Sequence, residues 1–144
     1  MVVRIAIEGR IRDKNTEAFV AEYKKRLTPF FDFQITELGS GNSKALDKLV
    51  KNAKPDDFFI GFDAPGKKFD SYSFASWFDE KRLRAKSVTF IIGEAEGLSG
   101  MARDCISEYI SLSEMTLSYR VSLMVAAEQI YRAMTIISGH PYHK

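Results

Sequence analysis

Phe58-Phe59-Ile60-Gly61-Phe62 runs straight into Asp63-Ala64-Pro65-Gly66-Lys67-Lys68. A run with no polar side chain cannot alternate between core and water. It therefore predicts a strand covered on both faces, the pattern of a parallel sheet clothed by helices. The Pro-Gly pair that follows predicts a turn over residues 63–68. After that turn the period changes. Phe74, Trp77, Phe78 and Leu83 in residues 71–84 predict a helix, and residues 87–92, Ser-Val-Thr-Phe-Ile-Ile, predict a second buried strand.

The same alternation extends in both directions. Upstream, residues 43–54 read as a short basic helix with Leu46, Leu49 and Val50 inward. Before it, Gly39-Ser40-Gly41-Asn42-Ser43 is a loop, and residues 31–38 form a strand with Phe31, Phe33 and Ile35 on one face. A helix capped by Asn15 or Thr16 carries Phe19, Val20, Tyr23 and Leu27, Pro29 stops it, and residues 2–7 are the first strand. Downstream come a glycine-rich loop over residues 93–100, a short helix over 101–107 and a last strand over 109–112. The longest helix spans 119–138, ahead of the tail His140-Pro141-Tyr142-His143-Lys144. Regular β-α-β-α alternation implies an α/β fold, a parallel sheet with helices on both faces. No linker or repeat interrupts it, so residues 1–144 are expected to be one domain.

Composition excludes more than it assigns. Hydrophobic residues make up 45% and charged residues 28%, ordinary for a globular chain. A net charge of +2 is too weak to mark a nucleic-acid binder by itself. The single cysteine, Cys105, allows no internal disulfide and no Cys-based metal pair; it is expected as a small apolar residue on a helix face. No metal site is expected. No apolar run approaches the roughly 20 residues of a membrane span, and the charged first strand is no signal peptide, so a cytoplasmic location with no membrane partner is expected.

In open parallel sheets ligands bind beyond the carboxyl ends of the strands. Three such ends stand out: Phe62-Asp63-Ala64, Gly93-Glu94-Ala95-Glu96-Gly97, and Leu112-Ser113-Glu114-Met115-Thr116-Leu117. None is a GxGxxG or a Gly-Lys-Ser/Thr phosphate loop, which argues against a flavodoxin-like or nucleotide-binding oxidoreductase. Ser113, Thr116 and Ser118 are positioned to cap the following helix. The same small, partly apolar loop also suits a neutral adenine ring.

Several motifs carry a family resemblance: Phe90-Ile91-Ile92-Gly93 with Glu96-Gly97-Leu98-Ser99, Leu112-Ser113 with Met115-Thr116-Leu117, Ala127-Glu128-Gln129-Ile130-Tyr131-Arg132-Ala133, and His140-Pro141-Tyr142-His143. Asp63 and Pro65-Gly66-Lys67 match in place and order. The chain resembles the ribosomal RNA large subunit methyltransferase H family, a branch of the SPOUT methyltransferases. The resemblance implies a C-terminal trefoil knot and S-adenosylmethionine as cofactor. It also implies methylation of N3 of a pseudouridine in 23S rRNA, within the large subunit or the assembled ribosome, and a homodimer. Carried over by position, Phe62, Gly93, Leu112, Ser113, Glu114, Met115, Thr116 and Leu117 line the cofactor pocket. Tyr142 and His143 lie at the acceptor, with His143 a candidate general base. Arg132, Lys144 and Arg10 are candidate RNA contacts, with a Glu128–Arg132 ion pair as the competing role for Arg132. Basic residues also cluster at Arg12 and Lys14 and at Lys24, Lys25 and Arg26.

The chain departs from the family pattern at Glu94-Ala95, where members have Gly-Pro, at Ser118-Tyr119 for Pro-His, and at Lys144 for Arg. A non-catalytic ribosome- or RNA-binding protein of the same fold is the alternative those departures leave open. Val121, Leu123, Met124, Val125, Ile130, Met134 and Ile137 give the last helix more apolar surface than one stripe needs, as expected of a helix that also meets a partner.

Overall fold

The computed structural model describes residues 1–39, 43–93 and 101–144. Ten elements alternate along the chain: β1 (Val2–Ile7), α1 (Lys14–Leu27), β2 (Asp32–Glu37), α2 (Ser43–Lys51), β3 (Asp57–Lys68), α3 (Ser71–Arg84), β4 (Ser87–Ile92), α4 (Met101–Cys105), β5 (Glu108–Ser111) and α5 (Tyr119–Ile137). The strands form one sheet in the order β2-β1-β4-β3-β5, with every pairing parallel.

Both faces of the sheet are covered, as the apolar run at Phe58 predicts. The two-residue period of a strand sends alternate side chains to opposite sides. Val3, Ile5 and Ile7 of β1, Val88, Phe90 and Ile92 of β4, and Ile60 of β3 join the larger core with α1, α3 and α5. Ala6, Ile91 and Phe59 face the other way, onto Leu46 and Val50 of α2 and onto Ile106. An aromatic stack centres on the fully buried Phe90, whose ring lies 5.5 Å from Phe62 at an interplanar angle of 13° and within 6.5 Å of Phe74, Trp77 and Phe78.

Two local expectations are corrected, and two residues prove exposed. The cap of α1 is Asp13, not Asn15 or Thr16: its carboxylate accepts from both the backbone N–H and the hydroxyl of Thr16, the geometry an N-cap aspartate offers. Residues 63–68 are not a simple turn. β3 continues through them, with Phe62 and Lys67 both in register with Ile110, so residues 63–66 arch out of the ladder. Gly66 allows the return: a Cβ there would lie 2.7 Å from the backbone carbon of Ile110. The Pro-Gly signal therefore makes a bulge in an edge pairing. Leu83 is 71% exposed; at 100° per residue it sits opposite Phe74 on α3, so its helical spacing does not place it inward. Cys105 lies on α4, as expected of a helix residue, and is exposed.

Two helix ends matter for the site. α3 begins with a capping box in which Asp70 accepts from the Ser73 backbone and the Asp70 N–H donates to the Ser73 hydroxyl. α5 ends in paired bonds, His140 N–H to Thr135 C=O at 2.8 Å and Gly139 N–H to Ile136 C=O at 3.3 Å, with Gly139 at φ +71°. This is a Schellman closure, and Pro141 just beyond it cannot extend the helix. Together they turn the C-terminal residues back along α5.

Candidate active site

The ends of β3, β4 and β5 converge on one cleft of about 110 Å³. Its walls are Phe62, Asp63 and Ala64 from β3, Ile92 and Gly93 at the end of β4, Leu112, Ser113, Met115, Thr116 and Leu117 after β5, and Ser122 of α5. Local hydrogen bonds shape the third wall. The Ser111 hydroxyl donates to the Ser113 carbonyl, the Met115 N–H donates to the Ser113 hydroxyl, and Ser118 caps α5 by accepting from Val121. These side chains occupy the loop's own polar groups and leave its apolar ones to face the cleft. Among the described lining residues Asp63 carries the one ionisable side chain. Apolar side chains, a few hydroxyls and a single carboxylate suit a small ligand that combines a flat neutral ring with positive charge.

A second cavity of about 360 Å³ adjoins the first, sharing Phe62 and Leu112 with it. It runs between Phe69, Asp70, Ser71 and Phe74 at the start of α3, Ile110 and Ser111 of β5, and Val125, Ala126 and Gln129 of α5. Gln129 accepts from the Ser71 hydroxyl across its floor.

The C-terminal residues dock farther along α5. Arg132, which holds His143, lies ten positions from Ser122, about 15 Å of helix at 1.5 Å per residue, and residues 139–144 are not among those lining the cleft. Glu128 organises the docking. It takes Arg132 Nε and a second guanidinium N–H on one carboxylate oxygen, accepts the Tyr142 hydroxyl at 3.1 Å, and accepts from the Gln129 side chain. Arg132 also lies 4.9 Å from the Tyr142 ring centre and donates to His143 Nδ1 at 3.0 Å. Tyr142 meets the Tyr23 hydroxyl at 3.2 Å and the Tyr131 ring edge-on at 4.8 Å, while His143 stands edge-on to Tyr72 at 4.7 Å. Burial above all, with the Tyr23 hydroxyl and the Glu128 charge, raises the Tyr142 phenol well above its ordinary range. Hydrogen bonding to Glu128 likewise raises Arg132. Tyr142 is thus a neutral hydroxyl and Arg132 a fixed cation.

A family model described as "Predicted SPOUT methyltransferase" matches residues 1–143. The chain belongs to the SPOUT methyltransferase family. Within it, the chain is 33% identical over 154 residues to the ribosomal RNA large subunit methyltransferase H of Gemmatimonas aurantiaca, covering both proteins completely. It is 32% identical over 159 residues to that of Carboxydothermus hydrogenoformans, again over the whole of both. The Streptococcus pneumoniae protein of the same name is also 32% identical over its full length. Membership therefore reaches the large-subunit methyltransferase H group and includes the first third of the chain, which carries none of the quoted motifs.

In this SPOUT methyltransferase the residues expected at the cofactor divide cleanly. Phe62, Gly93, Leu112, Ser113, Met115, Thr116 and Leu117 line one cleft. Glu114 does not: it is exposed and its carboxylate pairs with Lys68 at the surface. Residues 94–100, including Glu94 and the Glu96-Gly97-Leu98-Ser99 motif, lie outside the described residues, as do residues 40–42 of the loop before α2. Arg10 is exposed beside Gly39, and its carbonyl accepts the Tyr119 hydroxyl. Lys144 is exposed. The Glu128–Arg132 ion pair forms, so Arg132 has its Nε, NH1 and NH2 engaged inside the chain. Lys24 and Lys25 are exposed, whereas Arg26 pairs with Glu22 and lies over the Tyr23 and Tyr131 rings. Among the described residues no group of His, Cys, Asp and Glu is arranged to hold a metal ion, and no helix is long and apolar enough to cross a membrane.

Sequence reasoning missed three contributors. Tyr23 shows in the sequence only as part of a helical spacing, yet its hydroxyl meets the tail. Tyr72, 62% exposed, backs His143. Gly139 sets the tail's direction. Only the last left a local signal, in Ser138-Gly139-His140-Pro141, a glycine then a proline just past a helix.

Proposed function

We propose that this protein transfers a methyl group from S-adenosylmethionine to N3 of a pseudouridine in 23S rRNA, acting in the cytoplasm on the large subunit or the assembled ribosome. The observation that carries the reading is the convergence of three strand ends on a cleft that combines apolar side chains with the hydroxyl residues Ser113, Thr116 and Ser122 and the carboxylate of Asp63. That lining fits the cofactor. Phe62, Leu112 and Leu117 offer surfaces for the adenine, Gly93 and the loop over residues 112–117, Glu114 included, offer backbone groups for its edge, and Asp63 lies where a cation would be stabilised. When bound, the cofactor supplies an electrophilic methyl on a sulfonium. That chemistry needs no metal. The backbone around this pocket is proposed to form the trefoil knot of the family.

The acceptor N3 carries a proton, and its attack requires that this proton leave. The negative charge that develops spreads onto the flanking carbonyl oxygens, where fixed donors and cations stabilise it. We assign this task to Tyr142, His143 and Lys144. Because the tail of one chain docks along α5 and is not among the residues lining its own cleft, the reading places it at the cleft of a second copy, in a homodimer. Val121, 39% exposed, and the half-buried Met124 form an apolar patch on α5 that such a dimer would cover. Arg10 and Lys144 are positioned to meet phosphate, and Arg132 acts near the RNA through the tail it holds.

The test is methyl transfer from labelled cofactor to purified ribosomes, large subunits and free rRNA, followed by mapping of the modified base. Transfer to one pseudouridine at N3 is expected. Transfer to another base, or binding to ribosomes without any transfer, would overturn the reading.

A further inference from the structure

The geometry points to Arg132 as a positioning residue that fixes which nitrogen of His143 carries the proton, making the outward edge of that ring a hydrogen-bond donor. A guanidinium has five N–H donors and no acceptor. The 3.0 Å contact from Arg132 NH1 to His143 Nδ1 is therefore a hydrogen bond only if Nδ1 offers its lone pair. In the neutral ring the proton then resides on Nε2. Arg132 cannot turn away at low cost, because Nε and NH2 are both held by the Glu128 carboxylate and its plane lies over the Tyr142 ring. The imidazole is backed by Tyr72, edge-on at 4.7 Å and 89°. The ring is thus gripped on its Nδ1 side, and Nε2–H is the group left to meet a ligand.

This inference rests on the methyltransferase reading only for its consequence. Deprotonation of an imide N3 places negative charge on the two carbonyl oxygens beside it. A neutral imidazole presenting Nε2–H donates to such an oxygen and stabilises the anion, the task of an oxyanion-hole donor. With its other nitrogen occupied by a cation, the ring has no free lone pair with which to abstract the proton. His143 therefore acts as a donor and the proton leaves by another route.

The test has one arm that needs no substrate. In the full-length chain with ¹⁵N-labelled histidine, at a pH about two units above the ordinary histidine value, two-bond ¹⁵N–¹H spectra report each ring's tautomer, with His140 as internal reference. The expected result is a single Nε2–H form for His143, a mixture in Arg132→Met, and the wild-type form in Arg132→Lys, which keeps a donor. A proton on Nδ1 in the wild type, or an unchanged spectrum in Arg132→Met, would overturn the assignment. The second arm compares methyl transfer to ribosomes by His143→Gln, which keeps an N–H near the Nε2 position but is no base, with His143→Ala. The donor role predicts that the glutamine retains most of the activity while alanine loses about 10²-fold; equal loss in both refutes it. Failure of every variant and of the wild type in this arm alone would speak against the methyltransferase reading and leave the tautomer result standing.

Discussion

Replacing Gly66 by alanine probes the packing that closes the cleft. The added Cβ would lie 2.7, 2.8 and 2.9 Å from the backbone C, N and Cα of Ile110, where ordinary contact begins at 3.4 Å. None of these atoms belongs to a side chain that can swing aside. β3 and β5 must separate by about 0.7 Å at this point, and overpacking of this kind costs about 1–3 kcal/mol. At about 2–4 °C per kcal/mol for a chain of this size, the thermal midpoint should fall by roughly 2–12 °C. The same separation moves the arch at residues 63–66 against the loop after β5, the first and third walls of the cleft, so affinity for S-adenosylmethionine should weaken with stability. Thermal unfolding at fixed protein concentration and calorimetric titration of the cofactor read the two effects. An unchanged midpoint with unchanged affinity would show that the close approach of Gly66 to Ile110 does not hold the cleft together.

Gly139→Ala meets nothing within 4 Å but must adopt φ +71°, a strain of about 1–2 kcal/mol; it should loosen the tail, lowering methyl transfer while leaving cofactor affinity intact. Phe90→Leu removes the ring stacked under Phe62 and should cost about 0.5–1.5 kcal/mol beyond lost area, with weaker cofactor binding by calorimetry. Asp57 is held below the ordinary carboxylate range by the Ser87 hydroxyl first and the Lys54 N–H second. Since its folded value is the lower one, its contribution is present above about pH 3.9 and is lost as pH falls through the folded value; urea midpoints down an acid series should therefore fall less steeply for Asp57→Asn. Removing Tyr142, His143 and Lys144 should abolish transfer and spare cofactor binding, and full activity without them would take the tail out of the site.

The sheet was legible because its central strands are apolar on both sides. Phe58-Phe59-Ile60-Gly61-Phe62 and Val88-Thr89-Phe90-Ile91-Ile92 have no solvent face, and only a helix-covered parallel sheet houses two such runs. The strand order was not legible. β4 inserts between β1 and β3, and no local pattern records which buried strand lies beside which. The arch after Phe62 failed for a related reason: Pro-Gly marks a departure from regular backbone, and only tertiary contact with Ile110 decides between turn and bulge. The cleft residues were found through family motifs rather than chemistry, since leucine, serine and glycine at a strand end carry no catalytic signature. At Glu114 the sequence gives the place in the loop but not the side chain's direction: its neighbours line the cleft while its own carboxylate pairs with Lys68. The Glu128–Arg132 spacing announced an ion pair, but sequence could not show that the same carboxylate also receives Tyr142 from the folded-back tail.

Backbone amide shifts recorded during titration with S-adenosylmethionine test the central claim most directly. The account predicts that the largest changes fall on residues 62–64, 92–93 and 112–117, in one saturable event. Changes confined elsewhere, such as the cavity between α2 and the sheet at Leu49 and Asn52, or none at saturating cofactor, would contradict it.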